Sequence, residues 1–331
     1  MDMEYTSLGN SGMKISKIGL GCMSFGNSSW RPWVLDEKES RPIIESAIDH
    51  GVNFFDTANM YSKGESERLL GSVLQEYNSD FPVVATKLYH DMDTSNPNAS
   101  GLSRKSLRQE LKNSLSRLGM DNVDLLQIHR WDSNTPIGET LSALADIISH
   151  GLTNYIGASS MRTYQFATAQ FTADSIGVQR FTSMQNHYNL VNRSEESEMI
   201  PFCRQEGVGL IPWSPLARGF LARPHRKFAS SKRAKFMQSH QRFGRRLDRY
   251  KSDNGIIVNE RVEELADCKD VSMAQISIAW LLHQEAVDAP IVGVRSLEHL
   301  QDAIEAVDIK LSDDDLQYLS MTSKAKDEGL F

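Results

Sequence analysis

Eight short apolar runs, each followed by a stretch with helical spacing, constrain this chain more than anything else in it. The runs are 17–21, 52–56, 81–87, 123–129, 154–159, 183–185, 209–214 and 289–292. Between them apolar residues recur at the 3.6-residue period. Ile43, Ile44, Ala47 and Ile48 do so in segment 37–50, which stops at Gly51. The same spacing predicts helices over 66–74, with Ser66 as N-cap, and over 103–118, 137–150, 164–175, 195–206, 255–268, 272–283, 297–306 and 313–319. Strict alternation requires parallel strands joined by right-handed crossovers. Eight units predict a closed α/β (β/α)8 TIM barrel rather than a doubly wound sheet. Residues 6–15 read as an N-terminal β-hairpin turning at 8–13, and extra helices follow the seventh strand and close the chain. No linker or composition break divides the 331 residues, so a single domain, 1–331, is expected.

Barrels of this kind carry their chemistry at the carboxyl ends of the strands. Asp56, Lys87, His129, Ser159, Gln185 and Trp213 all fall there, and Tyr61 follows Asp56 on a short loop. A lysine entering a barrel mouth needs a partner to stay charged, and Asp56 is the natural one. An ammonium beside Tyr61 favours the phenolate and lowers the phenol pKa towards neutrality, where it serves acid–base chemistry. His129 is suited to donating a hydrogen bond to a substrate oxygen. Two other readings of these residues stay open: a Schiff-base lysine at Lys87, and a purely structural Asp56–Lys87 pair. Ser159 and Gln185 suit a carboxamide, and Trp213 suits stacking on a flat ring.

Charge and cysteine content narrow the partners. The net charge of −7 argues against nucleic acid, yet segment 223–251 holds eleven basic residues and one acidic one. That basic loop reads as a solvated segment, as an attractor for an anionic dinucleotide through residues such as Arg245 and Arg246, or as a docking site for an acidic or nucleic-acid partner. No apolar run approaches a membrane span, and the first residues lack a signal peptide's basic start. Cys22, Cys203 and Cys268 form no CxxC pair and no metal-ligand spacing with the histidines, so no metal and a cytoplasmic location are expected.

The ordered motifs resemble the aldo-keto reductase family. They are Gly19-Leu20-Gly21-Cys22-Met23-Ser24-Phe25-Gly26, then Asp56-Thr57-Ala58-Asn59-Met60-Tyr61 with Gly64 and Glu67, then Lys87, then Asp124-Leu125-Leu126-Gln127-Ile128-His129. Tyr155-Ile156-Gly157-Ala158-Ser159, Met184-Gln185-Asn186, Ile211-Pro212-Trp213-Ser214-Pro215-Leu216 and Val292-Gly293-Val294-Arg295 complete them. Ile128-His129-Arg130-Trp131-Asp132 is similar to the bacterial and fungal branch related to aryl-alcohol dehydrogenases.

The resemblance implies an NADP-dependent oxidoreductase that reduces aldehydes or ketones by direct hydride transfer. Tyr61 would be the general acid, with Lys87, Asp56 and His129 in support. It implies NADPH held at the barrel mouth: Ser159 and Gln185 on the carboxamide, Trp213 on the nicotinamide, Ser214, Leu216 and Arg218 along the pyrophosphate. Gly293, Arg295, His299 and Asp302 would take the adenosine end. Arg295 favours the 2′-phosphate of NADP, since a guanidinium matches it bidentately. Ser160 stands where many members have Asn, and Ala303 where many have an adenine-binding Asn. A cofactor-binding regulatory subunit on the same fold is the alternative of another class. A small carbonyl compound is the expected partner, and a monomer or weak homo-oligomer the expected assembly.

Gly19 and Gly21 do not make a Rossmann fingerprint, because the third glycine comes at Gly26 and the next strand-end acid, Asp56, lies too far on. Backbone access for the cofactor near Gly21 and Met23 explains them better. Trp30, Trp33 and Trp131 fall on loops at the catalytic rim and, with Tyr61 and His129, predict an aromatic-walled substrate pocket.

Overall fold

In the computed structural model, which describes residues 3–77, 80–230, 232–240, 247–248 and 250–321, the alternation becomes one curled sheet. Strands β1 (Tyr5–Ser7) and β2 (Lys14–Ser16) pair as an antiparallel hairpin. The remaining strands are β3 (Gly19–Gly21), β4 (Phe54–Asp56), β5 (Val83–Leu88), β6 (Val123–Ile128), β7 (Thr153–Ser159), β8 (Ser183–Gln185), β9 (Gly209–Leu210) and β10 (Ile291–Val292). They run parallel in the order β10-β3-β4-β5-β6-β7-β8-β9. Single bridges from Leu210 to Val287 and from Trp213 to Ile291 bring the two edges together, giving the (β/α)8 arrangement.

Period-two alternation decides which side chains face inward. Phe54, Val83, Ala85, Leu125, Ile211 and Ile291 pack with Leu8 and Ile15 of the hairpin, which plugs the amino-terminal end of the barrel. The intervening residues Phe55, Val84, Leu126, Ile156 and Met184 face outward, into the larger core shared with the surrounding helices. Asp288 fastens the plug by accepting a hydrogen bond from Gly9 N at 2.7 Å.

The helices follow the predicted segments with local differences that have chemical reasons. The helix Arg104–Leu118 begins after a Ser103 cap and stops at Gly119, whose φ is +65°. The helix Glu65–Tyr77 starts one residue early, so Ser66 is not its cap; the Ser66 hydroxyl donates to Cys22 O inside the fold. Segment 195–206 splits into a 3-10 turn, Ser194–Glu196, and the helix Met199–Glu206. Pro201 then sits in the first turn, where its missing N–H is tolerated. Pro212 likewise shortens β9 to two residues, and the chain rejoins the sheet only at Trp213. The basic segment 223–251 is not simply a loop, since the helix Lys232–Gln238 forms within it. Arg245 and Arg246 lie outside the described residues.

One buried ion pair joins two helices to the sheet behind the loop that carries Tyr61. Glu67 is 0 % exposed; it accepts from Arg117 Nε at 2.6 Å and from Thr86 Oγ1 at 2.6 Å. The two helices can approach because residue 71 is glycine: a Cβ there would lie 2.1 Å from Leu118 O. Removing Arg117 alone strands a buried carboxylate. Arg117→Met is expected to lose about 3–5 kcal/mol in urea unfolding, with most of that restored in the Glu67→Gln/Arg117→Met double variant. Parent-like stability of the single variant would show that Arg117 does not compensate Glu67.

Candidate active site

Continuing the inward-facing rows by one step carries them from apolar to polar residues. Phe54 is followed by Asp56, Ala85 by Lys87, and Leu125 by Gln127 and then His129, which lies just past β6. The parallel register sets Lys87 beside Gln127 and Ser159 beside Gln185, so this polar layer closes the top of the barrel core.

Lys87 is 0 % exposed, and all three of its ammonium protons have acceptors. It donates to Asp56 Oδ2 at 2.6 Å, to Thr57 O at 2.8 Å and to Tyr61 OH at 3.5 Å. The other Asp56 oxygen accepts from Gln127 Nε2 and Gln185 Nε2, each at 2.9 Å. Burial by itself would lower the Lys87 pKa, but Asp56 and Tyr61 more than offset it, and the amine ends above its usual value. A lysine so charged and so fully engaged is a poor Schiff-base nucleophile, which disfavours the Schiff-base reading of Lys87.

Tyr61 opens a strained loop in which Ser62 and Lys63 have φ of +50° and +56°. Ser62 anchors it by accepting from Asn27 N at 2.8 Å, and Gly26 allows the approach, since a Cβ there would lie 2.5 Å from the Ser62 Cβ. The third glycine of the motif therefore serves loop packing. The Tyr61 phenol is pushed above its ordinary pKa, contrary to the expected lowering. Burial is the largest cause; Lys87 pulls the other way, but Asp56 beside it cancels part of that effect. Tyr61 is thus a neutral phenol with a fixed cation against its oxygen. His129 stands edge-on to it, with ring centroids 5.8 Å apart. Burial, then Lys87, Arg130 and His90, hold the His129 pKa well below its usual value, so the imidazole is neutral. Its Nδ1 is buried without a partner.

A cavity of about 640 Å³ opens over this layer and runs to the far side of the barrel mouth. Gly21, Met23, Trp30, Asp56, Tyr61, His129, Ser159, Gln185, Trp213, Ser214, Leu216, Arg218, Gly293, Arg295, His299 and Asp302 all line it. Trp33 and Trp131 do not. Trp33 packs edge-on to Phe236, 5.0 Å between centroids, and Trp131 packs on the main core. Spacing alone does not show which way a loop tryptophan turns. Trp213 Nε1 donates to Ser160 Oγ at 2.9 Å, and one face of its ring is stacked on His187 at 4.2 Å, leaving the other to the cavity. His187 accepts or donates at Nε2 to Tyr250 OH at 2.7 Å.

Sequence reasoning passed over His187, Gln127, His90, Arg130 and Arg233. His187 falls two residues past a strand-end glutamine, a signal weaker than the strand end itself. Arg233 stands on the helix Lys232–Gln238, inside the basic segment. Its pKa is pushed down to about 9 by burial and by Arg218, Arg295 and Arg31. Arg218, Arg223 and Arg233 each have a buried Nε with no partner. Several guanidiniums converge here, and among the described residues the carboxylates lining this end are Glu298 and Asp302. Such a cradle matches a polyanion.

Known proteins resemble this chain along most of its length. The model of the aldo/keto reductase family matches residues 17–323. Versiconal hemiacetal acetate reductase of Aspergillus parasiticus is 43 % identical over 339 residues, covering 96 % of this chain and 96 % of the relative. A Schizosaccharomyces pombe protein that bears an aryl-alcohol dehydrogenase name is 43 % identical, with 95 % and 94 % covered. An aldo-keto reductase of Metarhizium robertsii is 42 % identical, with 96 % and 90 % covered.

The sign of the Tyr61 shift is directly measurable. The tyrosinate absorbance of the parent minus that of Tyr61→Phe should stay flat through neutrality and rise only above the ordinary tyrosine range near pH ~10. A step near neutrality would show that the Lys87 charge prevails over burial.

Proposed function

The chain belongs to the aldo/keto reductase family, and we propose that it reduces an aldehyde or ketone to the alcohol with NADPH, Tyr61 acting as general acid. One observation carries the proposal: a neutral buried phenol with a fully engaged ammonium 3.5 Å from its oxygen.

The cavity fits the cofactor on its own terms. Its polar floor, its aromatic face at Trp213 and its unpartnered guanidinium nitrogens match an amide-bearing ring joined to phosphates. Ser159 and Gln185 would face the carboxamide, Trp213 the ring, and Ser214, Leu216, Arg218 and Arg233 the pyrophosphate. Gly293, Arg295, His299 and Asp302 would hold the adenosine end. When bound, the reduced nicotinamide supplies the hydride.

The protein's own part is to place and move a proton. Neutral His129, denied a charge by burial and by Lys87, orients the carbonyl oxygen by donating a hydrogen bond to it. Tyr61 then gives its proton to that oxygen as negative charge develops. Lys87 cannot leave, because Asp56 and Thr57 hold it, and it stabilises the phenolate that forms. The cation contributes most once the phenol has ionised, which is stabilisation specific to the transition state. In the reverse direction the same phenolate takes the proton back. Free cysteines at 22, 203 and 268 fit a reducing, cytoplasmic setting.

Two outcomes are expected. Tyr61→Phe should lower kcat for reduction of an aryl aldehyde by ~10²–10⁴-fold while NADPH binding, read by fluorescence titration, stays near the parent value. Unchanged turnover removes Tyr61 from the proton path. Arg295→Met should raise KM for NADPH by ~10–100-fold, the worth of one charge-assisted bond, and leave KM for NADH nearly unchanged. Equal effects on both cofactors would place Arg295 away from the 2′-phosphate.

A further inference from the structure

Past β8 the chain does more than connect two strands. Residues 186–192 build a support behind Trp213, on the side of its ring away from the cavity. Trp213 N donates to Asn186 O at 2.9 Å, which carries the sheet one step further and sets His187 beside Trp213. The imidazole and the indole lie parallel to within 9°, their centroids 4.2 Å apart. Trp213 lines the cavity and His187 does not, so the imidazole reaches a ligand there only through the indole.

Asn189 fixes how that imidazole is held. It is 0 % exposed, and its Oδ1 accepts from Val191 N at 3.1 Å and from Asn192 N at 3.0 Å, which settles the orientation of its amide. Its Nδ2 then donates to Ser214 O at 2.8 Å and to His187 Nε2 at 3.2 Å. Nε2 is therefore an acceptor, and Tyr250 OH, 2.7 Å away, donates to it. Ser214 itself has a φ of +57°, so one buried amide secures both the residue after Trp213 and the ring behind it. Tyr250 comes from the far end of the basic segment 223–251. It is buried and stacks on Phe220, with 21° between the rings.

We propose that His187 is a positioning residue for the nicotinamide: its ring fixes the plane of Trp213 and Tyr250 fixes the ring, so that packing of the basic segment sets the geometry of hydride transfer. The proposal rests on the reductase reading, with the nicotinamide against the cavity face of Trp213. Hydride transfer depends on how the donor and acceptor carbons meet, and a small displacement of the ring costs rate steeply. Affinity depends on it less, because the charged groups of the cofactor lie elsewhere in the cavity. A parallel aromatic partner restrains tilting of the indole without touching the cofactor. An aliphatic side chain at 187 fills space but offers no flat face. Phenylalanine there keeps the face and loses the acceptor for Tyr250.

The test uses the full-length protein, NADPH and benzaldehyde, with hydride transfer read as the first-turnover loss of NADPH absorbance. His187→Leu should lower the first-turnover rate by ~10–100-fold, while the NADPH Kd from fluorescence titration rises by less than about threefold. Tyr250→Phe and His187→Phe each keep the stacked ring and lose a hydrogen bond, and their rates should fall by only ~2–5-fold. In the protein without cofactor, the Trp213 part of the near-ultraviolet circular dichroism, taken against Trp213→Leu, should shrink in His187→Leu and persist in His187→Phe. A first-turnover rate for His187→Leu within about twofold of the parent, or a loss of rate matched by an equal loss of NADPH affinity, overturns the proposal. So does a His187→Phe variant as slow as His187→Leu. Should His187→Leu fail to fold, Tyr250→Phe decides: it removes a single oxygen, and a parent-like rate there overturns the proposal. Absence of NADPH oxidation by the parent with every aldehyde would instead overturn the reductase reading beneath it.

Discussion

The structure depends on keeping an ammonium charged at the centre of a barrel where water does not reach. Taking such a group out of water costs several kcal/mol, and only close partners offset that. Lys87 has three: a carboxylate, a backbone carbonyl and a phenol. Each partner is then constrained in turn. Asp56 must stay ionised and oriented, which Gln127 and Gln185 secure; Thr57 must present its carbonyl inward, and Tyr61 must return on a loop whose Ser62 and Lys63 are left-handed. The strain in that loop and the hydrogen bonds beneath it are two sides of one requirement.

The same arrangement explains why the phenol remains protonated beside a cation. A lone ammonium at that distance would favour the phenolate. Here the cation is already neutralised by a carboxylate 2.6 Å away, so burial dominates and the proton stays. On the proposed reading the site is a loaded acid whose conjugate base has its counter-ion in place. Farther along the cavity the balance differs. Arg218, Arg223 and Arg233 are gathered with unpartnered nitrogens, an arrangement that is costly until an anion lies among them. One end of the mouth thus has its charge settled internally, and the other leaves it open to a ligand.

Much of this was legible in the letters. Apolar runs alternating with helical spacing specify parallel strands, and eight of them specify a barrel. Polar residues at the ends of apolar runs, Asp56, Lys87, His129, Ser159 and Gln185, stand out because nothing in packing calls for them. Other parts were hidden for physical reasons. Gln127 sits within a strand and gains its meaning only when the register sets it beside Lys87. His187 matters through a stacking partner in another loop, and Ser66 reads as a cap until the helix starts before it. Trp33 and Trp131 were indistinguishable from Trp30 by position, because loop side chains turn according to neighbours that come from distant segments.

The sequence by itself determined the strand count, the inward-facing rows and the residues that reach the rim, since local periodicity and turn chemistry suffice for those. Tertiary structure alone decided the sign of the Tyr61 shift and the sharing of Asp56 among three donors. These are questions of distance and burial between chain segments far apart in sequence. Electrostatic energies depend steeply on both, and neither is written in any single stretch of the chain.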